Sequence, residues 1–106
     1  MGRELLRPQA WVISAPANWQ SMLMAHLERH KRYPPGARAR GAHGIAYVRF
    51  TIDGAGNVLS ARLVRSSGYA ELDREAVALV RRASPVPPPP PGANRIITVP
   101  VRFNVN

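Results

Sequence analysis

The stretch that most constrains the fold runs from residue 44 to residue 83, GIAYVRFTIDGAGNVLSARLVRSSGYAELDREAVALVRRA. Its hydrophobic period starts at two: Ala46, Val48, Phe50 and Ile52 alternate with Ile45, Tyr47, Arg49 and Thr51, which predicts a strand with one apolar face. The DGAGN segment at 53–57 supplies residues that tolerate positive φ and closes a hairpin onto VLSARLVRS. In that second strand Val58, Ala61 and Leu63 do not keep one parity, so a bulge is expected near Leu59 or Ser60. Ser66, Ser67 and Gly68 then offer N-capping and turn chemistry, and Glu71, Asp73 and Glu75 sit where a helix dipole favours anions. Leu72, Ala76, Leu79, Val80 and Ala83 form a stripe at helical spacing that Arg81 and Arg82 close.

The flanks complete the pattern. The run SPVPPPPPG is expected to be an extended polyproline link. In RIITVPVRFNV, the apolar Ile97, Val99, Val101, Phe103 and Val105 alternate with polar residues, predicting a last strand. A helix separates it from the hairpin, so it is expected at a sheet edge, where another polypeptide can pair with it. Upstream, Asn18 reads as the N-cap of a helix whose broad face is Trp19, Met22, Leu23, His26, Leu27 and His30. That helix is expected to stop at Tyr33, because Pro34 pushes the preceding residue out of the helical region. Residues 36–42, GARARGA, have room for one helical turn. Residues 1–17 show no period and read as a linker or tail, with Trp11 either a tail residue or a staple onto the domain. The expected architecture is one α+β domain over 18–106, a three-stranded antiparallel sheet with two helices packed on one face.

A chain of 106 residues buries a modest core, and without cysteine it has neither a disulfide framework nor a thiolate metal site to support it. The net charge of +9, nearly all from arginine, attracts anionic partners of several kinds without choosing among them. No apolar run reaches the roughly 18–20 residues that cross a bilayer, and no signal-peptide order opens the chain, so the sequence reads as cytosolic or as a piece of something larger. His26 and His30 have metal-ligand spacing but no third ligand nearby, and are read as a satisfied pair. Gly54-Ala55-Gly56 precedes a strand rather than a helix, so it is a hairpin turn and not a nucleotide loop. Ser66 and Ser67 lack a positioned base, and no acid and base pair appears, which argues against an enzyme; no cofactor is called for.

The leading helix ending in Tyr33-Pro34, the strand into Asp53-Gly54, the Ser66-Ser67-Gly68 turn, the Leu72-Asp73 helix start and the proline-rich bridge into VPVRFNV resemble the C-terminal domain of TonB-type energy transducers, over about residues 18–105. The resemblance implies a periplasmic domain of a longer protein anchored in the inner membrane, working with ExbB and ExbD through an anchor this chain lacks. It implies capture of the TonB box of outer-membrane receptors for siderophores, haem or cobalamin, and transmission of force to them. It also implies that the segment His30, Lys31, Arg32, Tyr33, Pro34 lies close to the bound box, with His30 standing where the family often has Gln.

Parity sharpens the edge expectation. Pro100 has no N–H, so even positions of the last strand should face away from the sheet, making Ile96, Thr98, Arg102 and Asn104 the candidate peptide-binding set together with His30, Arg32, Tyr33 and Pro34. Two other readings stay open: a TolA-like envelope interaction module, and a small basic nucleic-acid-binding domain. The second is opposed by the lack of paired aromatics on an exposed sheet face, so no nucleic-acid partner is expected. Exposed edges also let such a domain exchange strands into a homodimer.

Overall fold

The computed structural model describes residues 15–104, so Trp11, Val105 and most of the 1–17 linker reading lie outside it. Six elements follow in order: α1 (Ala15–His30), α2 (Pro35–Ala39), β1 (Gly44–Ile52), β2 (Val58–Arg65), α3 (Ala70–Arg82) and β3 (Ile96–Phe103). The strands form one antiparallel sheet in the order β2-β1-β3, so the hairpin partner and the last strand flank β1 and both are edges. This is the expected α+β sheet, with the short α2 added.

Every second residue of β1 (Ala46, Val48, Phe50, Ile52) faces Val99, Val101 and Phe103 of β3, Leu72, Ala76, Leu79 and Val80 of α3, and Trp19, Leu23 and Leu27 of α1 in one continuous core. Fully burying side chains of this size stabilises by about 1.5–3 kcal/mol each, which is how so short a chain holds a fold. Met22, expected on the buried face of α1, is 56% exposed, and Met24 packs in its stead. Trp19, Leu23 and Leu27 define the centre of the stripe. Met22 and Met24 lie about equally far from it on opposite flanks; only the placement of the sheet selects one.

The helix ends differ from expectation. Asn18 is not the N-cap, because α1 opens at Ala15 with Pro16 in its first turn. The helix also stops at His30, three residues short of Tyr33, as the Arg82 guanidinium takes the His30 carbonyl at 2.8 Å and the Glu75 carboxylate takes the Arg32 N–H at 3.0 Å. For α3, the N-cap is Tyr69 and no side chain caps it; the serines act in the reverse sense. Asp73 reaches back and accepts the Ser66 hydroxyl at 2.5 Å, with the Ser67 hydroxyl and Ser67 N–H at 2.8 Å. Burial raises the Asp73 pKa, but these three donors outweigh it and leave the carboxyl below its ordinary range.

The hairpin turn is organised by Asp53, whose carboxylate accepts the N–H groups of Ala55 and Asn57 at 2.9 Å. Gly56 adopts φ +91, and a Cβ there would meet the Val86 carbonyl oxygen at 2.0 Å, so only glycine lets the turn dock on the proline-rich link. That link contains no regular element, yet the Val86 N–H bonds Gly56, the Trp19 indole N–H bonds the Pro87 carbonyl, and Ser84 Oγ accepts the Val58 N–H.

Candidate peptide-binding edge

β3 pairs with β1 without a register shift over all eight residues, from Gly44 opposite Phe103 to Thr51 opposite Ile96. Just past its end, the Ile52 N–H donates to the Arg95 carbonyl at 2.9 Å. Stepping along an antiparallel ladder in twos, the odd residues of β3 therefore bond β1, and Ile96, Thr98, Pro100 and Arg102 turn their backbone groups outward. Pro100 thus sits where its missing N–H costs the sheet nothing. Ile96, Thr98, Arg102 and Asn104 are all exposed.

The segment after α1 abuts the C-terminal end of this edge. Tyr33 donates its hydroxyl to the Ala42 carbonyl and sets its ring edge-on to Phe103, centroids 5.5 Å apart. None of the other three residues predicted there makes a side-chain hydrogen bond to the strand. His30 folds back along α1, its Nδ1 2.9 Å from the His26 carbonyl and its ring against that of His26, while His26 Nε2 lies 2.8 Å from the Ala83 carbonyl. Arg32 is exposed and held by its amide, and Pro34 precedes α2 in an extended conformation. Among the described residues no group of three histidine and acidic side chains is gathered for a metal ion.

Four residues outside the predicted set shape the site. Glu75 and Arg82 pair at 2.6 Å, mostly buried, and clamp the backbone of His30 and Arg32 from α3. Lys31 donates to the outward carbonyl of Arg102 at 2.6 Å, and Asn94 accepts the outward N–H of Ile96 at 2.9 Å. The Lys31 and Arg102 positions are 71 residues apart in the chain, so no local signal announces the contact.

Two cavities flank the same strand where α1 runs past it. One, of about 210 Å³, is lined by Gln20, Leu23, Met24, Ile97, Thr98, Val99 and Pro100. The next, of about 300 Å³, adds Trp19, Ala93, Asn94 and Ile96. The sheet face away from the helices is basic: Arg49 stands opposite Arg62, donates its Nε–H to Thr98 Oγ1 at 3.1 Å, and neighbours Tyr47, over whose ring Arg65 lies. Tyr47 is its one aromatic among the described residues. Among those residues the carboxylates lie in α1, the hairpin turn and α3, so none balances this face.

Residues 29–105 match the family described as Gram-negative bacterial TonB protein C-terminal. The chain is similar to Protein TonB of Pseudomonas putida, 46% identical over 78 residues, which covers 74% of this chain and 32% of that protein. Among solved structures it is similar to the C-terminal domain of Helicobacter pylori TonB, with a TM-score of 0.72 at 23% identity, covering 92% of this chain and 91% of that one. It is also similar to TolAIII bound to a peptide derived from the N-terminus of TolB, with a TM-score of 0.63 at 23% identity, covering 79% and 71%. The two structural likenesses carry the fold. The chain spans about a third of the length of the curated relatives it matches.

Proposed function

Because this chain belongs to the family of Gram-negative bacterial TonB C-terminal domains, we propose that it is the periplasmic, receptor-engaging domain of an energy transducer. It captures the TonB box of an outer-membrane receptor by strand addition on β3 and passes force to it. The whole transducer, on this reading, is anchored in the inner membrane, works with ExbB and ExbD, and serves uptake of a siderophore, haem or cobalamin. No catalytic step is assigned to the chain.

The observation that carries the reading is the outward row of β3, unbroken in register and presenting both backbone groups of Thr98. Backbone pairing contributes about 0.5–1.5 kcal/mol net per bond, so a short segment is held weakly and released readily, which suits a device that must engage and let go. Isothermal titration with a synthetic TonB-box peptide tests it. Wild-type protein is expected to bind, and Thr98→Pro to melt nearly normally while losing most of the affinity, because it removes an outward donor and no backbone bond to β1, giving up there only the exposed contact of Thr98 Oγ1 with Arg49. Full-strength binding by a folded Thr98→Pro protein would place the captured segment elsewhere. The TolA-like reading predicts instead that envelope proteins other than such receptors are bound by the same edge.

A further inference from the structure

Lys31 is the one lysine in a chain whose other fourteen basic residues are arginine, and its side chain is only 20% exposed. Its ammonium reaches the end of β3, 5.7 Å above the Phe103 ring centroid. That ammonium meets the Glu28 carboxylate at 2.6 Å and the outward Arg102 carbonyl at 2.6 Å. An ammonium has three donors, and two are committed here while its third side faces an aromatic ring. The position it fills beside Arg102 is the one an added strand's N–H would need. At the other end of β3, Asn94 already satisfies the outward N–H of Ile96.

Between these two caps the outward groups are the Ile96 carbonyl, both backbone groups of Thr98, the carbonyl of Pro100, which has no N–H, and the N–H of Arg102, whose own carbonyl is taken by Lys31. Thr98 is therefore the one outward residue between the caps that offers both a donor and an acceptor. The two cavities beside α1 open along the same stretch, and Thr98 lines both. Backbone groups and side-chain room converge on residues 96–100, which is what strand addition uses for affinity and for specificity respectively.

Resting on the capture reading above, we propose that Lys31 is a register stop: it confines the captured segment to Ile96–Pro100, with Thr98 as anchor, and keeps Arg102 and Asn104 out of the ladder. The lysine suits this role better than an arginine would, since a compact ammonium fits against one carbonyl and one carboxylate whereas a guanidinium fork would spread across the edge. The stop also blunts the most regular edge of the sheet against pairing with a second copy of the chain.

The test compares wild type, Lys31→Met and Glu28→Gln, each first shown to fold by thermal melting, using synthetic TonB-box peptides of seven and nine residues. Met keeps an unbranched apolar side chain at this position and frees the Arg102 carbonyl. With wild type, peptide is expected to shift the amide resonances of residues 96–99 and leave those of Arg102 and Asn104 in place, and the longer peptide to gain nothing. With Lys31→Met, the Arg102 amide joins the shifted set and the longer peptide binds about threefold to tenfold tighter, the worth of one freed backbone bond. Glu28→Gln, which loosens the ammonium without removing it, is expected to fall between.

Shifts at Arg102 in the wild type, or equal affinities and equal shift sets in all three proteins, overturn the register stop while leaving capture on β3 standing. A peptide that binds without moving the Thr98 amide in any of them overturns both. Should Lys31→Met fail to fold, the Glu28→Gln comparison decides by the same readouts.

Discussion

The sheet has two edges of very different quality. β3 keeps one register against β1 along its whole length, whereas β2 breaks register twice, once between Ser60 and Val58 and again between Arg65 and Leu63. The residues skipped are Leu59 and Val64, both exposed. Each bulge leaves one residue unpaired and bends the strand, so β2 presents a broken row of donors and acceptors and is a poor template for a further strand. β3 is the better template, and is guarded at its ends by Lys31 and Asn94 rather than by distortion. A permanent bulge removes an edge from use. A side chain on a carbonyl merely rations it, which is the arrangement expected of an edge that works.

If that contrast is right, the two strands should respond unequally to the same insult. The largest effect is expected from Val99→Pro, which removes an inward ladder bond at a residue buried against the helices. The loss should be about 3 kcal/mol or more, a large share of the stability of a domain of this size, and urea denaturation followed by circular dichroism measures it. A Val99→Pro protein with the wild-type midpoint would mean that the odd positions do not carry the ladder.

Glu75→Gln comes next, at about 1–3 kcal/mol, because it leaves the mostly buried Arg82 guanidinium without its carboxylate. The cost should be local as well as global. Amide exchange is expected to quicken in residues 30–34 and at the end of β3 near Phe103 while β2 is unchanged; uniform quickening would show that the clamp does not serve the β3 side in particular.

A smaller effect belongs to Asp73, at the β2 end of the molecule. Its folded-state pKa is depressed, so its contribution is present above the unfolded carboxylate value of about 4 and is lost as pH falls through the lower folded value. Wild type should lose stability on acidification below about pH 4 relative to Asp73→Asn, the two curves converging at the acid end; parallel curves would refute the assignment. The smallest effect is expected at Leu59. As an exposed bulge residue with no ladder partner, Leu59→Lys should stay within about 0.5 kcal/mol, and a larger loss would mean that the bulge is a packed feature rather than a blunted edge.

Much of the fold was legible because periodicity and turn chemistry are local. The parity of Ala46 to Ile52, the DGAGN turn and the stripe from Leu72 to Ala83 each point to one structure, and the failed parity of Val58, Ala61 and Leu63 announced the bulge at Leu59. The second bulge, at Val64, had no such signal, since the strand beyond it has too few residues to show a phase change. Helix ends were misplaced where tertiary bonds set them. Asn18 and the Ser66-Ser67 pair are good caps by type, but α1 opens before the first, and Asp73 claims the second.

What the sequence by itself determined is the order of elements, the apolar faces of β1 and β3 and the outward row of β3, because alternation and the missing N–H of Pro100 are properties of the chain under any tertiary arrangement. What only the tertiary structure decided is which groups guard that row. Lys31 meets Arg102, Glu75 meets Arg32 and Arg82 meets His30 across 71, 43 and 52 residues. Such meetings depend on how α1 and α3 lie on the sheet, and long charged side chains carry no periodic signal that could have foretold them.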